Sequence, residues 1–113
     1  MVVHQGGVGT VAQCLRAGKP MLIMPYSHDQ PDNARRMRRL GVARVMERAS
    51  YSAERVAAAL RVMLADEQLA ARALNMAAQL QSEDGVGSAC DALEELYKNE
   101  TSIPESGGGR TVR

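Results

Sequence analysis

Seven consecutive residues, His4-Gln5-Gly6-Gly7-Val8-Gly9-Thr10, bring together the groups that hold a phosphate. Glycines accept a positive φ and let the main chain approach a ligand with no Cβ in the way. A helix opening directly after them leaves its first amides without intrahelical acceptors, and its dipole favours anionic oxygens at that end. Thr10 adds a hydroxyl donor, and His4 stands where its ring could donate to the same anion. An ordinary tight turn with a capped helix would use similar residues, so the function of this segment depends on what accompanies it.

A second group, Ser27-His28-Asp29-Gln30-Pro31-Asp32-Asn33-Ala34, offers a carboxylate beside a carboxamide. The first accepts and the second donates hydrogen bonds, which suits neighbouring hydroxyls of a sugar. The structural alternative is an Asx turn that caps a helix. His28 and Asp29 are adjacent in sequence, with no serine elbow or nucleophilic-cysteine signature, so they do not read as a catalytic dyad. His4, Cys14 and His28 lack zinc-ligand spacing, and no metal is expected.

Two known phosphate loops bear on the glycine segment. No Lys follows Gly9, which removes the Walker loop. Gly7-Val8-Gly9-Thr10-Val11-Ala12 does satisfy the dinucleotide pattern G-x-G-x-x-A, with Asp29 at roughly the distance of its ribose acid. A nicotinamide- or flavin-dependent oxidoreductase is therefore the competing reading, although it leaves His4, Gln30 and Asn33 without roles.

Apolar periodicity supplies the elements that must position these groups. Met1-Val2-Val3 reads as the end of a buried strand, and 10–17 as a helix with Val11, Cys14 and Leu15 on its apolar face and Gly18 as its stop. The continuous apolar run 21–25 suits a parallel strand covered on both faces. A helix is expected from 31 or 32 to 40, with Asp29 or Asp32 as its cap, Ala34, Met37 and Leu40 inward, and Gly41 as its stop. The segment 42–46 reads as a third strand. Ser52 should cap a helix to 64 with Val56, Leu60, Met63 and Leu64 buried, and 67–80 should form another with Leu69, Ala73, Met76 and Leu80 inward. Ser88 should cap a last helix that turns Ala89, Leu93 and Leu96 inward, and 99–113 should be a disordered tail.

Alternating strands and helices with short connections predict an α/β fold, a partial Rossmann-like, doubly wound parallel sheet in a domain spanning 1–98. Loops after its strand ends gather at one edge, which would place the two polar groups together. The packing must come from Ala, Leu, Val and Met, because the chain has three Tyr and neither Phe nor Trp. Fourteen Lys plus Arg against thirteen Asp plus Glu give a net charge of +1, too little to argue for nucleic acid or an anionic membrane. Arg35, Arg36, Arg38 and Arg39 read as the solvated face of a helix. Cys14 and Cys90 form no disulfide framework, Cys14 is expected to pack in the first helix, and no apolar run approaches a membrane span or signal-peptide core. A cytoplasmic protein is expected.

Taken in order, His4-Gln5-Gly6-Gly7-Val8-Gly9-Thr10, Ala17-Gly18-Lys19-Pro20, Pro25, Asp29-Gln30-Pro31-Asp32-Asn33-Ala34 and Gly41 resemble the C-terminal donor-binding region of UDP-dependent glycosyltransferases of the GT-B superfamily. Gly7 and Val8 fit the bacterial macrolide- and sterol-type enzymes rather than the Trp-Asn arrangement of the plant enzymes. The resemblance implies that His4, Gly6, Gly7, Gly9 and Thr10 contact the donor diphosphate and that Asp29 and Gln30 hold the transferred sugar. Asn33 matches a motif asparagine near the phosphate loop, and Gln13 stands where the plant-type box has a ribose-binding glutamate, so both are possible ribose or phosphate contacts. The implied donor is a UDP-sugar such as UDP-glucose, with no cofactor. The implied reaction is inverting hexosyl transfer to an acceptor hydroxyl. Acceptor binding and the general base belong to an N-terminal domain in that family, so no catalytic base is assigned here, and the donor half alone is expected to be incomplete for turnover. A non-catalytic remnant is the remaining alternative.

Overall fold

The computed structural model describes residues 1–101 of the 113. The remainder of the expected tail, from 102 onward, lies outside the described residues. Three parallel strands, β1 (Val2–His4), β2 (Met21–Ile23) and β3 (Ala43–Val45), form a sheet in the order β1-β2-β3. Val2, Val3 and His4 pair with Met21, Leu22 and Ile23, which pair in turn with Ala43, Arg44 and Val45. Helices α1 (Val8–Arg16) and α2 (Gln30–Arg39) make the two crossovers, and α3 (Ala53–Leu64), α4 (Glu67–Gln81) and α5 (Gly85–Thr101) follow, with a 3-10 turn at Arg48–Ser50 before α3.

β2 is buried at every position because both of its faces are covered. Met21 and Ile23 pack with Val11 and Cys14 of α1, Ala34 and Met37 of α2, and Ala73 of α4. Leu22 points the other way, against Met63 of α3 and Leu69 of α4. Full burial of such side chains contributes about 1.5–3 kcal/mol each, so this short strand anchors both layers. The expected α/β fold with a parallel sheet is met, with both crossover helices on one face and α3 on the other.

Most boundaries fall where turn chemistry places them. Gly18 and Gly41 end α1 and α2 with φ of 62° and 74°. Ser52 caps α3 by accepting the Arg55 N–H, and Asp66 caps α4 by accepting the Leu69 N–H. Five expectations need correction. β1 is not a buried strand, with Val3 40% exposed, and Leu40 at the end of α2 is 44% exposed rather than inward. Leu64 is 73% exposed rather than buried, because it comes one position after Met63, which takes the inward place. Leu80 is only half-buried, while Ala77, one helical turn past Ala73, is buried. The last helix begins at Gly85 rather than after Ser88, with the Asp84 carboxylate accepting the Gly87 N–H. It runs through Asn99 to Thr101 and buries no residue, so Ala89, Leu93 and Leu96 are not core. Contacts divide the chain into one unit at 1–82 and a second beginning at Glu83. Among the described residues no helix is long and apolar enough to cross a membrane.

Candidate functional site

Parallel pairing of β1 with β2 brings the segments that follow them to one edge of the sheet. The Met24 N–H donates to the His4 carbonyl at 2.9 Å, which continues the ladder to that edge. Gly6 lies immediately beyond, buried, with φ of 96°. A Cβ there would stand 3.0 Å from Ile23 Cγ2 and 3.3 Å from the Gln30 carbonyl oxygen. The glycine turn and the Asp29-Gln30 segment therefore touch.

His4 folds back over its own turn. The Gly6 N–H donates to His4 Nδ1 at 3.0 Å. A backbone amide has only a hydrogen to offer, so Nδ1 must present its lone pair and the neutral ring carries its proton on Nε2. That Nε2–H is buried and has no hydrogen-bond partner among the described residues. Buried donors are almost always satisfied, and an orphan of this kind calls for an acceptor from outside the chain. Burial also lowers the His4 pKa below the 6.5 of a free ring, which keeps the ring in this neutral form near pH 7.

The sign of that shift predicts a pH dependence. The unfolded chain takes up the His4 proton at a higher pH than the folded one, so the His4 contribution to stability is fully present above pH 6.5 and is lost as pH falls from there through the lower folded value. Thermal melts from about pH 8 to about pH 5 should show this decline, and His4→Ala should flatten it. An unchanged slope in the variant would count against a buried neutral imidazole.

The N-terminus of α1 adjoins the same turn. Gly7 is its N-cap, no side chain caps it, and no acidic residue lies in its first turn. Helical geometry leaves the amides of Val8, Gly9 and Thr10 without intrahelical acceptors. A Cβ at Gly9 would meet nothing within 4 Å, and one at Gly7 would meet only Gln5 Nε2 at 3.9 Å. Gly9 thus gives up about 1 kcal/mol of helix propensity relative to Ala with no contact inside the protein that requires it. Thr10 is half-buried in this first turn.

Across the gap, Gln30 Oε1 accepts the N–H groups of Tyr26 at 2.8 Å and Ser27 at 3.0 Å. Because both partners are donors, the oxygen must face them, and the NH2 of Gln30 is left uncommitted among the described residues. Asn33 Nδ2 donates to the Gly6 carbonyl at 3.0 Å and to Asp29 Oδ2 at 2.9 Å. Asp29 makes no side-chain cap for α2, contrary to one sequence reading. Asp32 does not cap it either, because it pairs with Arg36 at 2.8 Å and Arg35 at 3.4 Å. The hydrogen bond from Arg36 holds the Asp32 carboxyl below its usual range. These exposed pairs, with Arg38 and Arg39 in solvent, make the arginine cluster a solvated helix face as expected. His28, next to Asp29, has φ of 59° and an exposed ring whose Nδ1 lies 2.7 Å from Ser27 Oγ.

The site thus gathers His4, Gly6, Gly7, Gly9, Thr10, Asp29, Gln30 and Asn33 at one sheet edge. Gln13 is exposed on α1 and no hydrogen bond ties it to either loop. Sequence reasoning passed over Tyr26 and Arg48, whose guanidinium sits 4.1 Å from the ring centroid at the ends of β2 and β3. Their separation in sequence carries no local signal of the pairing. A hollow of about 260 Å³ at the opposite strand ends is lined by Met1, Lys19, Pro20, Met63, Leu64 and Leu74. It lacks the convergent polar groups of the glycine-turn edge.

Residues 1–96 match the family described as erythromycin biosynthesis protein CIII-like, C-terminal domain. The chain belongs to this family. It is 37% identical over 107 residues to the O-mycaminosyltylonolide 6-deoxyallosyltransferase of Streptomyces fradiae, covering 94% of this chain and 25% of the relative. It is 36% identical over 106 residues to a sterol 3-beta-glucosyltransferase of Arabidopsis thaliana, covering 93% of this chain and 17% of that one. Among solved structures, the glycotransferase of kitacinnamycin superposes with a TM-score of 0.76 at 32% identity over 82% of this chain and 24% of its own. Glycosyltransferase VinC in complex with dTDP gives a TM-score of 0.78 at 26% identity, covering 86% and 25%. The chain therefore spans a quarter or less of the length of these relatives. It is a C-terminal donor-region homologue of GT-B glycosyltransferases, and the oxidoreductase reading has no support among them.

Proposed function

We propose that this chain is the donor half-site of an inverting UDP-sugar glycosyltransferase. It holds the diphosphate on the glycine turn and the hexose against Asp29 and Gln30, within a donor-binding domain spanning 1–98. The observation that carries the reading is the buried, unpartnered His4 Nε2–H beside the open amides of α1. Those donors need an acceptor, which a diphosphate supplies in several oxygens at once, and the acid-amide pair of the next loop lies against the same turn. VinC, with dTDP in its structure, supports a nucleoside diphosphate here.

In the proposed reaction an acceptor hydroxyl oxygen bonds to the anomeric carbon while the bond from that carbon to the β-phosphate oxygen breaks. The electron pair leaves with the diphosphate, and the acceptor proton passes to a base contributed by the acceptor-binding domain. His4 Nε2–H, the α1 amides and the Thr10 hydroxyl donate to the departing oxygens, whose charge grows as the bond lengthens. Asp29 accepts from sugar hydroxyls and Gln30 donates to them through its remaining NH2.

Titration calorimetry with UDP and UDP-glucose tests the assignment. The wild-type chain should bind both, with the sugar adding affinity. Asp29→Asn should leave UDP binding nearly unchanged and reduce the UDP-glucose advantage about tenfold, the value of one charge-assisted hydrogen bond. Equal discrimination in wild type and variant would remove Asp29 from sugar recognition.

A further inference from the structure

Asn33 has two amide hydrogens, and both are committed within the protein, to the Gly6 carbonyl and to Asp29 Oδ2. Neither acceptor can donate, so the orientation of the side-chain amide is fixed by chemistry. The two bonds join segments that are 27 residues apart in sequence at the Gly6 end and one helical turn apart at the Asp29 end.

The Gly6 carbonyl shares a planar trans peptide with the Gly7 N–H. In such a unit C=O and N–H point in opposite directions, so fixing the oxygen toward Asn33 fixes the Gly7 hydrogen away from it. Gly7 is the N-cap of α1, next to the open amides of Val8, Gly9 and Thr10. The same asparagine turns the Asp29 carboxylate by one oxygen and leaves Oδ1 without a protein donor among the described residues.

We infer that Asn33 is a positioning residue that couples diphosphate recognition to sugar recognition, rather than a ligand contact through its NH2. This rests on the donor half-site reading above. One side chain holds both the Gly6–Gly7 peptide of the phosphate turn and the carboxylate of the sugar loop, so a shift of the turn on binding UDP is passed to Asp29 before any hexose is present.

The test uses the 113-residue chain, UDP and UDP-glucose, with amide NMR shifts and calorimetry. In wild type, UDP alone should shift the Asp29 and Gln30 amides as well as those of Gly6 to Val11. In Asn33→Ala the shifts should be confined to the glycine turn and α1, and the UDP-glucose advantage over UDP should fall about tenfold. Asn33→Asp keeps the size while replacing the donor by an acceptor, and should show the same losses if the alanine variant melts. Retention of both the remote shifts and the sugar preference in these variants would overturn the coupling role while leaving the donor site standing. Absence of UDP binding by the folded wild type would instead overturn the half-site and the inference with it.

Discussion

His4→Ala should weaken UDP binding by roughly 10- to 150-fold, the equivalent of losing a hydrogen bond to a charged group worth about 1.5–3 kcal/mol. The buried Nε2–H has no partner among the described residues, so a bond to a phosphate oxygen would displace no existing protein hydrogen bond. Alanine also removes the Nδ1 acceptor that holds the Gly6 N–H, which would loosen the turn itself. His4→Asn separates the two effects, because an asparagine Oδ1 can replace the near nitrogen as acceptor while nothing replaces the far one. Calorimetry should find the asparagine variant nearly as weak as alanine. Wild-type affinity in His4→Asn would reduce His4 to a turn-shaping residue.

Gly6→Ala and Gly9→Ala should diverge in stability while both lose UDP. At Gly6 the backbone is left-handed and the added methyl would press on Ile23 Cγ2 at 3.0 Å and the Gln30 carbonyl at 3.3 Å. Backbone strain of roughly 1–3 kcal/mol and overpacking of similar size should lower the melting temperature by about 10 °C or more. Relief would swing the turn away from Gln30 and break the Asn33 bond to the Gly6 carbonyl. At Gly9 the methyl enters open space on a helix, so stability should rise by about 0.5–1 kcal/mol. If the diphosphate occupies that space, UDP affinity should nonetheless drop at least tenfold. Undiminished binding by Gly9→Ala would mean that no ligand approaches the main chain there.

Much of this arrangement was legible in the residues because the signals are local. Short apolar runs bounded by turn residues marked β1 to β3, Gly18 and Gly41 ended their helices, and Ser52 capped α3. The ordered motif from His4 to Gly41 pointed to the glycosyltransferase relatives. Leu64 was misread because a periodic stripe shows which positions align, not how wide a face the partner layer covers. Arg72, which donates to the Gly41 carbonyl at 2.7 Å from 31 residues away, had no local signature at all.

The sequence by itself determined the α/β alternation, the glycine turn, the acid-amide pair and the family. These depend on neighbours within a few residues, where side-chain period and backbone preference act directly. Only the tertiary structure decided which polar atoms are already spent. It committed Gln30 Oε1 to its own loop and both Asn33 hydrogens to a bridge, and it left His4 Nε2 waiting for an acceptor. The Gln30 bonds and the Asn33–Asp29 bond close over three or four residues once the loop takes its shape, whereas the Asn33 bond to Gly6 spans 27 residues and is set by strand register across the parallel sheet edge.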